Sequence, residues 1–292
     1  MTSIGQESPM LPKRAKELEK ELEELHKGFK DAYKERWEEF HKEENPRDCH
    51  EKKEFKKKQS FLLHLRRSIS WLDRAQQMEK DNKKTDKDLA PQFIFLWIGF
   101  NALYGRDPHQ FFGREKKLLD PKERQEERKF RKYFDNLFEH SEDTKERIYK
   151  VINNDISKQV ISLSENIFVW PDFWKYHHDI QKTEKHLPMK GDWLPKPLKK
   201  TNTKRILHRV FECLYVLRNQ LIHGASTWDG NLNKEQLIDG TEIVYYLLPV
   251  FIDIMLKTPK DEWKKWGRVW YPRVKGVDIE GEPYKISQKN SR

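Results

Sequence analysis

A chain of 292 residues with 36% hydrophobic and 36% charged content has room for one large domain with appendages, a modest core and a heavily solvated surface. Its 12% aromatic content excludes wholesale disorder, because Trp, Phe and Tyr bury large apolar areas. The net charge of +10 is local: residues 182–218 hold ten Lys/Arg against three acids, residues 257–275 hold seven against two, and the remainder is slightly acidic. Positive stretches of this kind attract polyanions, although a solvated lysine-rich surface has the same composition.

In chain order, residues 11–45 predict a long charged helix. Leu18, Leu22, Leu25, Phe29, Tyr33, Trp37 and Phe40 recur at three- and four-residue steps, and Asn45-Pro46 supplies a stop. So narrow a stripe suits packing on the main domain or pairing with a partner helix, and the spacing alone leaves both open. Residues 52–79 predict a second helix with Phe55, Leu62, Leu65, Ile69 and Leu72 on one side, and a polar loop follows. Leu89 to Tyr104 is apolar nearly all round, as a central buried helix is, with Gly105 as its stop.

Residues 121–139 carry Phe130, Phe134, Leu137 and Phe138 at helical spacing. Ser141 is a candidate cap for a helix continuing to about residue 165 through Ile148, Ile152, Val160 and Leu163. A short aromatic segment starts at Pro171, and Pro188, Pro195 and Pro197 make residues 187–203 a basic loop. Thr203 opens a strong helix through Ile206, Val210, Cys213, Leu214, Leu217 and Leu221, which Gly224 terminates. A loop leads to a last apolar-faced helix over 234–257, with a bend expected at Pro249, and a small hairpin is expected after Trp266.

The expected fold is therefore all-α, with a charged N-terminal helical extension over 1–50, a helical domain over 51–257 and a basic aromatic tail over 258–292. Cys49 and Cys213 suggest no disulfide framework, and the N-terminus lacks a signal-peptide pattern. The longest apolar run, Phe93 to Phe100, is too short to cross a bilayer. The expected location is cytoplasmic, away from membranes.

The chemistry concentrates in Arg218-Asn219-Gln220-Leu221-Ile222-His223-Gly224. Asn219 and His223, four residues apart, share one helical face, and Arg218 lies about 100° round the axis. A guanidinium donates paired hydrogen bonds to phosphate oxygens and an imidazole moves protons near neutral pH, so the cluster suits a phosphodiester. The Arg-x4-His spacing by itself is weak, with roughly one match expected by chance. A second copy, Arg36 to His41, falls in the charged N-terminal helix and reads as solvated surface.

Other candidates carry less. His177, His178 and His186 lack a carboxylate or thiol cluster, so no metal and no cofactor are expected. Asn101 reads as a satisfied core amide or a residue facing a cleft. In the tail, Trp263, Trp266, Trp270 and Tyr271 sit among bases and could stack on unpaired nucleotides, but packing on the bundle explains them better.

Two blocks, Phe93-Ile-Phe-Leu-Trp-Ile-Gly-Phe-Asn-Ala-Leu-Tyr-Gly105 and Arg218 to Gly224, together resemble the HEPN superfamily and in detail its Apea-like branch. Ser70-Trp71-Leu72-Asp73-Arg74-Ala75 is similar to that branch's first core helix, and the likeness spans about residues 55–257. The resemblance implies a helical bundle that forms a homodimer and cleaves RNA without metal by attack of the ribose 2′-hydroxyl. It makes Arg218, Asn219 and His223 the catalytic residues of an endoribonuclease, a toxin or antiviral defence effector, with an antitoxin or sensor protein as a further partner. A catalytically silent module that binds RNA or a protein is the alternative. Some toxin relatives carry a modified Tyr two residues after the His; Ala225 stands there, which puts that control in doubt. Lys196, Lys199, Lys200, Lys204 and Arg205, just before the catalytic helix, are the expected RNA-binding residues.

Overall fold

The computed structural model describes residues 24, 28–40, 42, 49–81, 89–105, 125–140, 142–179, 194, 198–225, 227 and 233–267. Among these there is no strand, and the body is all-α. The helices are α1 (28–40), α2 (Cys49–Asp81), α3 (Leu89–Tyr104), α4 (Gln125–His140), α5 (Glu142–Lys150), α6 (Ser157–Glu165), α7 (Pro171–Tyr176), α8 (Thr203–Ile222) and α9 (Lys234–Leu256). No helix is long and apolar enough among the described residues to cross a membrane. The Asn45-Pro46 stop, the Ser141 cap and the hairpin expected after Trp266 lie outside the described residues.

Helix α3 is central because it is apolar on every side. Phe93, Leu96, Trp97, Phe100, Leu103 and Tyr104 are buried, and α2 and α9 flank the helix. The Phe100 ring meets Phe211 of α8 at 4.4 Å, Phe134 of α4 at 5.8 Å and Phe251 of α9 at 6.0 Å, joining four helices in one aromatic cluster. Helix α9 approaches α8 and α3 closely at Gly240, where a Cβ would lie 2.9 Å from Leu217 and 3.3 Å from Phe93. Phe93 is thus beside Leu217 while Phe100 is beside Phe211, so α3 and α8 run antiparallel.

The described part of the N-terminal stripe, from Phe29 to Phe40, packs on its own chain, and Leu18, Leu22 and Leu25 lie outside the described residues. Phe29 and Phe40 are buried, and Phe40 stacks on Phe55 at 4.7 Å and tilts against Trp263 at 6.0 Å. Lys30 pairs with Asp73 at 3.0 Å and Lys260 with Glu39 at 2.9 Å. One hydrophobic cluster accordingly takes in residues from the extension, the middle of the chain and the start of the tail. Trp263 and Trp266, on a 3-10 turn over Lys260–Trp266, are wholly buried, so these two indoles serve the core.

The helix expected to run unbroken to residue 165 is interrupted. A π turn over Val151–Asp155 and a break at Ile156 separate α5 from α6. The cause is the spacing of Ile148, Ile152, Ile156 and Val160, all buried. Each four-residue step turns an α-helix about 40° past a full circle, so three would carry the stripe away from the core. A wider π turn cancels that drift. Pro249, where a bend was expected, lies buried inside α9, which is assigned as helix from Lys234 through Leu256.

Candidate functional site

Helix α8 buries Ile206, Val210, Cys213 and Leu217 and ends where the chain reaches solvent. Its end is a Schellman closure. His223 occupies the cap position and its backbone N–H donates to the Asn219 carbonyl at 2.9 Å. Gly224 and Ala225 then donate to the carbonyls of Leu221 and Gln220 at 3.2 and 2.8 Å. Gly224 sits at φ +69°, the left-handed conformation this closure requires.

Arg218, Asn219 and His223 are brought together at this end, the first two half-buried and His223 exposed. Arg218 Nη1 donates to Asn219 Oδ1 at 2.9 Å, so the amide holds the guanidinium. Among the described residues no acid pairs with Arg218, and no hydrogen bond or ion pair engages the His223 imidazole. A guanidinium tethered to Asn219, with an open imidazole at the same helix end, can bind an anion and exchange a proton with it.

Gln220 belongs to the site's framework and was missed in the sequence. It is buried; its Nε2 donates to the Phe168 carbonyl at 2.8 Å, and its Oε1 accepts from Asn233 Nδ2 at 3.0 Å. One amide therefore ties the end of α8 to the 3-10 turn Ile167–Val169 and to Asn233, the N-cap residue of α9. The signal was present: Gln220 continues the stripe Ile206, Val210, Cys213, Leu217 as a polar residue on a buried face. Phe168 and Trp174, exposed beside Gln220, were also not singled out.

The expected RNA-binding residues lie elsewhere on the helix. Lys196 is outside the described residues. Lys199, Lys200, Lys204 and Arg205 are exposed at the N-terminal end of α8. Fourteen residues of helix separate Lys204 from Arg218, a rise of about 20 Å. Lys200 pairs with Glu146 at 2.7 Å and Lys204 with Asp135 at 2.6 Å. These cations do not surround the Arg218–His223 group.

Asn101 is half-buried; it lies eight residues beyond Phe93 on α3, about 12 Å from the Leu217 level, which takes it away from the site rather than into it. Of the second Arg-x4-His pair, His41 lies outside the described residues. Arg36 is not a free surface cation: it donates to the Thr258 carbonyl at 3.3 Å and lies 5.9 Å from the Trp263 ring centre. The rings of His177 and His178 lie 3.6 Å apart just past the end of α7 at Tyr176. His186 lies outside the described residues. Among those described, no three His, Cys, Asp or Glu residues gather closely enough to hold a metal ion. Burial pushes the Cys213 thiol far up, which leaves it a core residue.

A groove of about 440 Å³ between α6 and the start of α9 is lined by Ser162, Glu165, Asn166, Glu235 and Asp239 among others. Burial raises the Asp239 carboxyl to about 6, against the Ser162 hydroxyl, which donates to it at 2.6 Å. Its acids suit no polyanion. No protein-family model matches this chain, and no curated protein or solved structure does.

Proposed function

We propose that this chain is a HEPN-type endoribonuclease whose catalytic group is Arg218, Asn219 and His223. The observation that carries the reading is the end of α8, where an Asn219-held guanidinium and an unengaged imidazole are presented together at the surface. His223 takes the proton from a ribose 2′-hydroxyl as its oxygen attacks the adjacent phosphorus. Arg218 stabilises charge gathering on the phosphoryl oxygens, and Asn219 fixes the direction of Arg218. The 5′-oxygen leaves with a proton, giving a 2′,3′-cyclic phosphate and a 5′-hydroxyl.

Within the segment Arg218 to Gly224 each protomer carries one imidazole, His223, and the step calls for both a base and an acid. A homodimer about a two-fold axis supplies the partner's His223 as the second. Ile222, 51% exposed and one turn beyond Arg218, favours a contact on that face. Use as a toxin or defence effector, held by an antitoxin or triggered by a sensor protein, follows from the same reading. The rival, a silent module binding RNA or a protein, draws on that same single imidazole of the motif: a chain that stays monomeric lacks the partner's His223.

The test is incubation of the protein and its His223→Ala variant with total RNA in EDTA, with light scattering on the same sample. Cleavage leaving cyclic phosphate ends, lost in the variant, by a species of twice the chain mass is the expected result. Dependence on added magnesium, or full activity in His223→Ala, would overturn the mechanism. A fully active monomer would overturn the dimer.

A further inference from the structure

Large exposed hydrophobics are scarce among the described residues, and two of the three, Phe168 (51% exposed) and Trp174 (40% exposed), lie together beside the proposed catalytic end. They are not loosely held. Trp174 Nε1 donates to the Phe168 carbonyl at 2.6 Å, and Gln220 Nε2 donates to the same oxygen at 2.8 Å. The indole is therefore no farther from the Gln220 amide than those two distances combined. Asn166 Oδ1 accepts from the Phe168 backbone N–H at 2.9 Å and fixes the turn from below. Phe173 stands edge-on to Phe168 at 5.3 Å and to Trp174 at 5.4 Å, and lies stacked against His177 at 6.0 Å. The result is a rigid shelf of aromatic edges and faces whose hydrogen-bonding groups are already satisfied and whose rings meet solvent.

Position decides what the shelf holds. Gln220 and His223 are three residues apart on α8, about 5–6 Å between Cβ atoms, so the Phe168 carbonyl that Gln220 holds lies at the helix end that carries the imidazole. Ile222 is about 200° round the helix from Gln220, so the shelf is not continuous with the face assigned to dimer contact. Exposed Lys175 and His178 lie on the same short segment. The groove containing Glu165, Glu235 and Asp239 begins two residues before Phe168, and its carboxylates disfavour phosphate on that side. A strand is left to pass over His223 and Arg218 with its bases turned toward the rings.

We propose that Phe168 and Trp174 form a stacking platform that receives unpaired bases of the RNA next to the scissile phosphate. The proposal rests on the ribonuclease reading above and adds to it the side chains that hold the bases of a single strand, with little base preference because every base has a π-face. Paired RNA would have to unstack to use the shelf, so duplexes bind and are cleaved poorly.

The experiment measures fluorescence anisotropy of labelled oligouridine on full-length His223→Ala protein, which cannot consume it, and on the same protein carrying Phe168→Leu or Trp174→Leu. Leucine keeps apolar area and removes the π-face. Each Leu variant is expected to bind about tenfold more weakly, Trp174→Phe to recover most of the loss, and an abasic oligonucleotide to show no difference among them. Thermal melting checks that each variant is folded, and Trp174→Phe covers the case in which a Leu variant is not. Equal affinity in folded Leu variants overturns the platform while leaving the ribonuclease reading intact. A change of mass by light scattering in the Leu variants, with RNA affinity unchanged, assigns the shelf to a second copy instead. Failure of the parent to bind oligouridine removes both the platform and the RNA reading beneath it.

Discussion

At Gly224 the backbone sits at φ +69°, yet a Cβ there would meet nothing within 4 Å. The position demands glycine for its dihedral angle and not for room. Gly224→Ala is expected to cost about 1 kcal/mol, the strain of a left-handed L-residue, visible as a lower denaturation midpoint with an unchanged slope. Because the closure fixes the His223 cap geometry, cleavage should fall along with stability; full activity at reduced stability would separate the cap from the chemistry. Gln220 contrasts with it. Its requirement comes from three distant backbone segments meeting at one buried amide, and no dihedral angle marks it.

Helix α8 carries its cations at one end and its reactive group at the other. The pairing of Lys200 with Glu146 and Lys204 with Asp135 gives these lysines neighbours of their own, so their bare count overstates the field they offer. Under the proposed function they touch RNA several nucleotides from the bond that breaks. Neutralising Lys196, Lys199, Lys200 and Lys204 together should weaken binding of a long oligonucleotide and flatten its salt dependence, while leaving a dinucleotide substrate unaffected. An unchanged salt slope for the long substrate would remove this end of α8 from the RNA path. Turnover at saturation should change little, because the proton-transfer groups are untouched.

Across the whole molecule, two titrating groups oppose one another in their effect on stability. His208 of α8 has its pKa lowered to about 4, first by burial and then by Arg131, with Asp135 acting the other way and Lys204 and Arg209 adding to the fall. Unfolded, it binds a proton below its ordinary 6.5, so its contribution is present above that pH and is lost as pH drops toward 4. Asp239, raised to about 6, does the reverse: the folded state keeps the proton that the unfolded chain releases above 3.8, so stability is lost as pH rises from there to 6. Each is worth about 1 kcal/mol once solvent screening is allowed for. Between pH 4 and 6 the two slopes nearly cancel. Asp239→Asn should therefore raise stability at pH 7 and expose an acid-sensitive limb between pH 6 and 4 in thermal melts. A variant whose profile stays flat there would show that His208 is not held neutral.

The sequence by itself determined the helical class, the central place of α3, the stop at Gly224 and the grouping of Arg218, Asn219 and His223. Each of these depends on residues within a few turns of one another, where apolar periodicity and glycine's dihedral freedom act directly. The stripe on α1 was equally visible, but its destination was not, because Phe40 meets Trp263 across more than two hundred residues of chain. The same holds for Phe168 and Trp174: nothing local in the sequence shows that the Gln220 amide and the Trp174 indole both bond the Phe168 carbonyl at the end of α8. Lys199, Lys200, Lys204 and Arg205 show the opposite case, close to the reactive group in sequence and a helix length from it in space. Only the tertiary structure decided these points, since burial pairs surfaces by fit across long separations and leaves no local period to read.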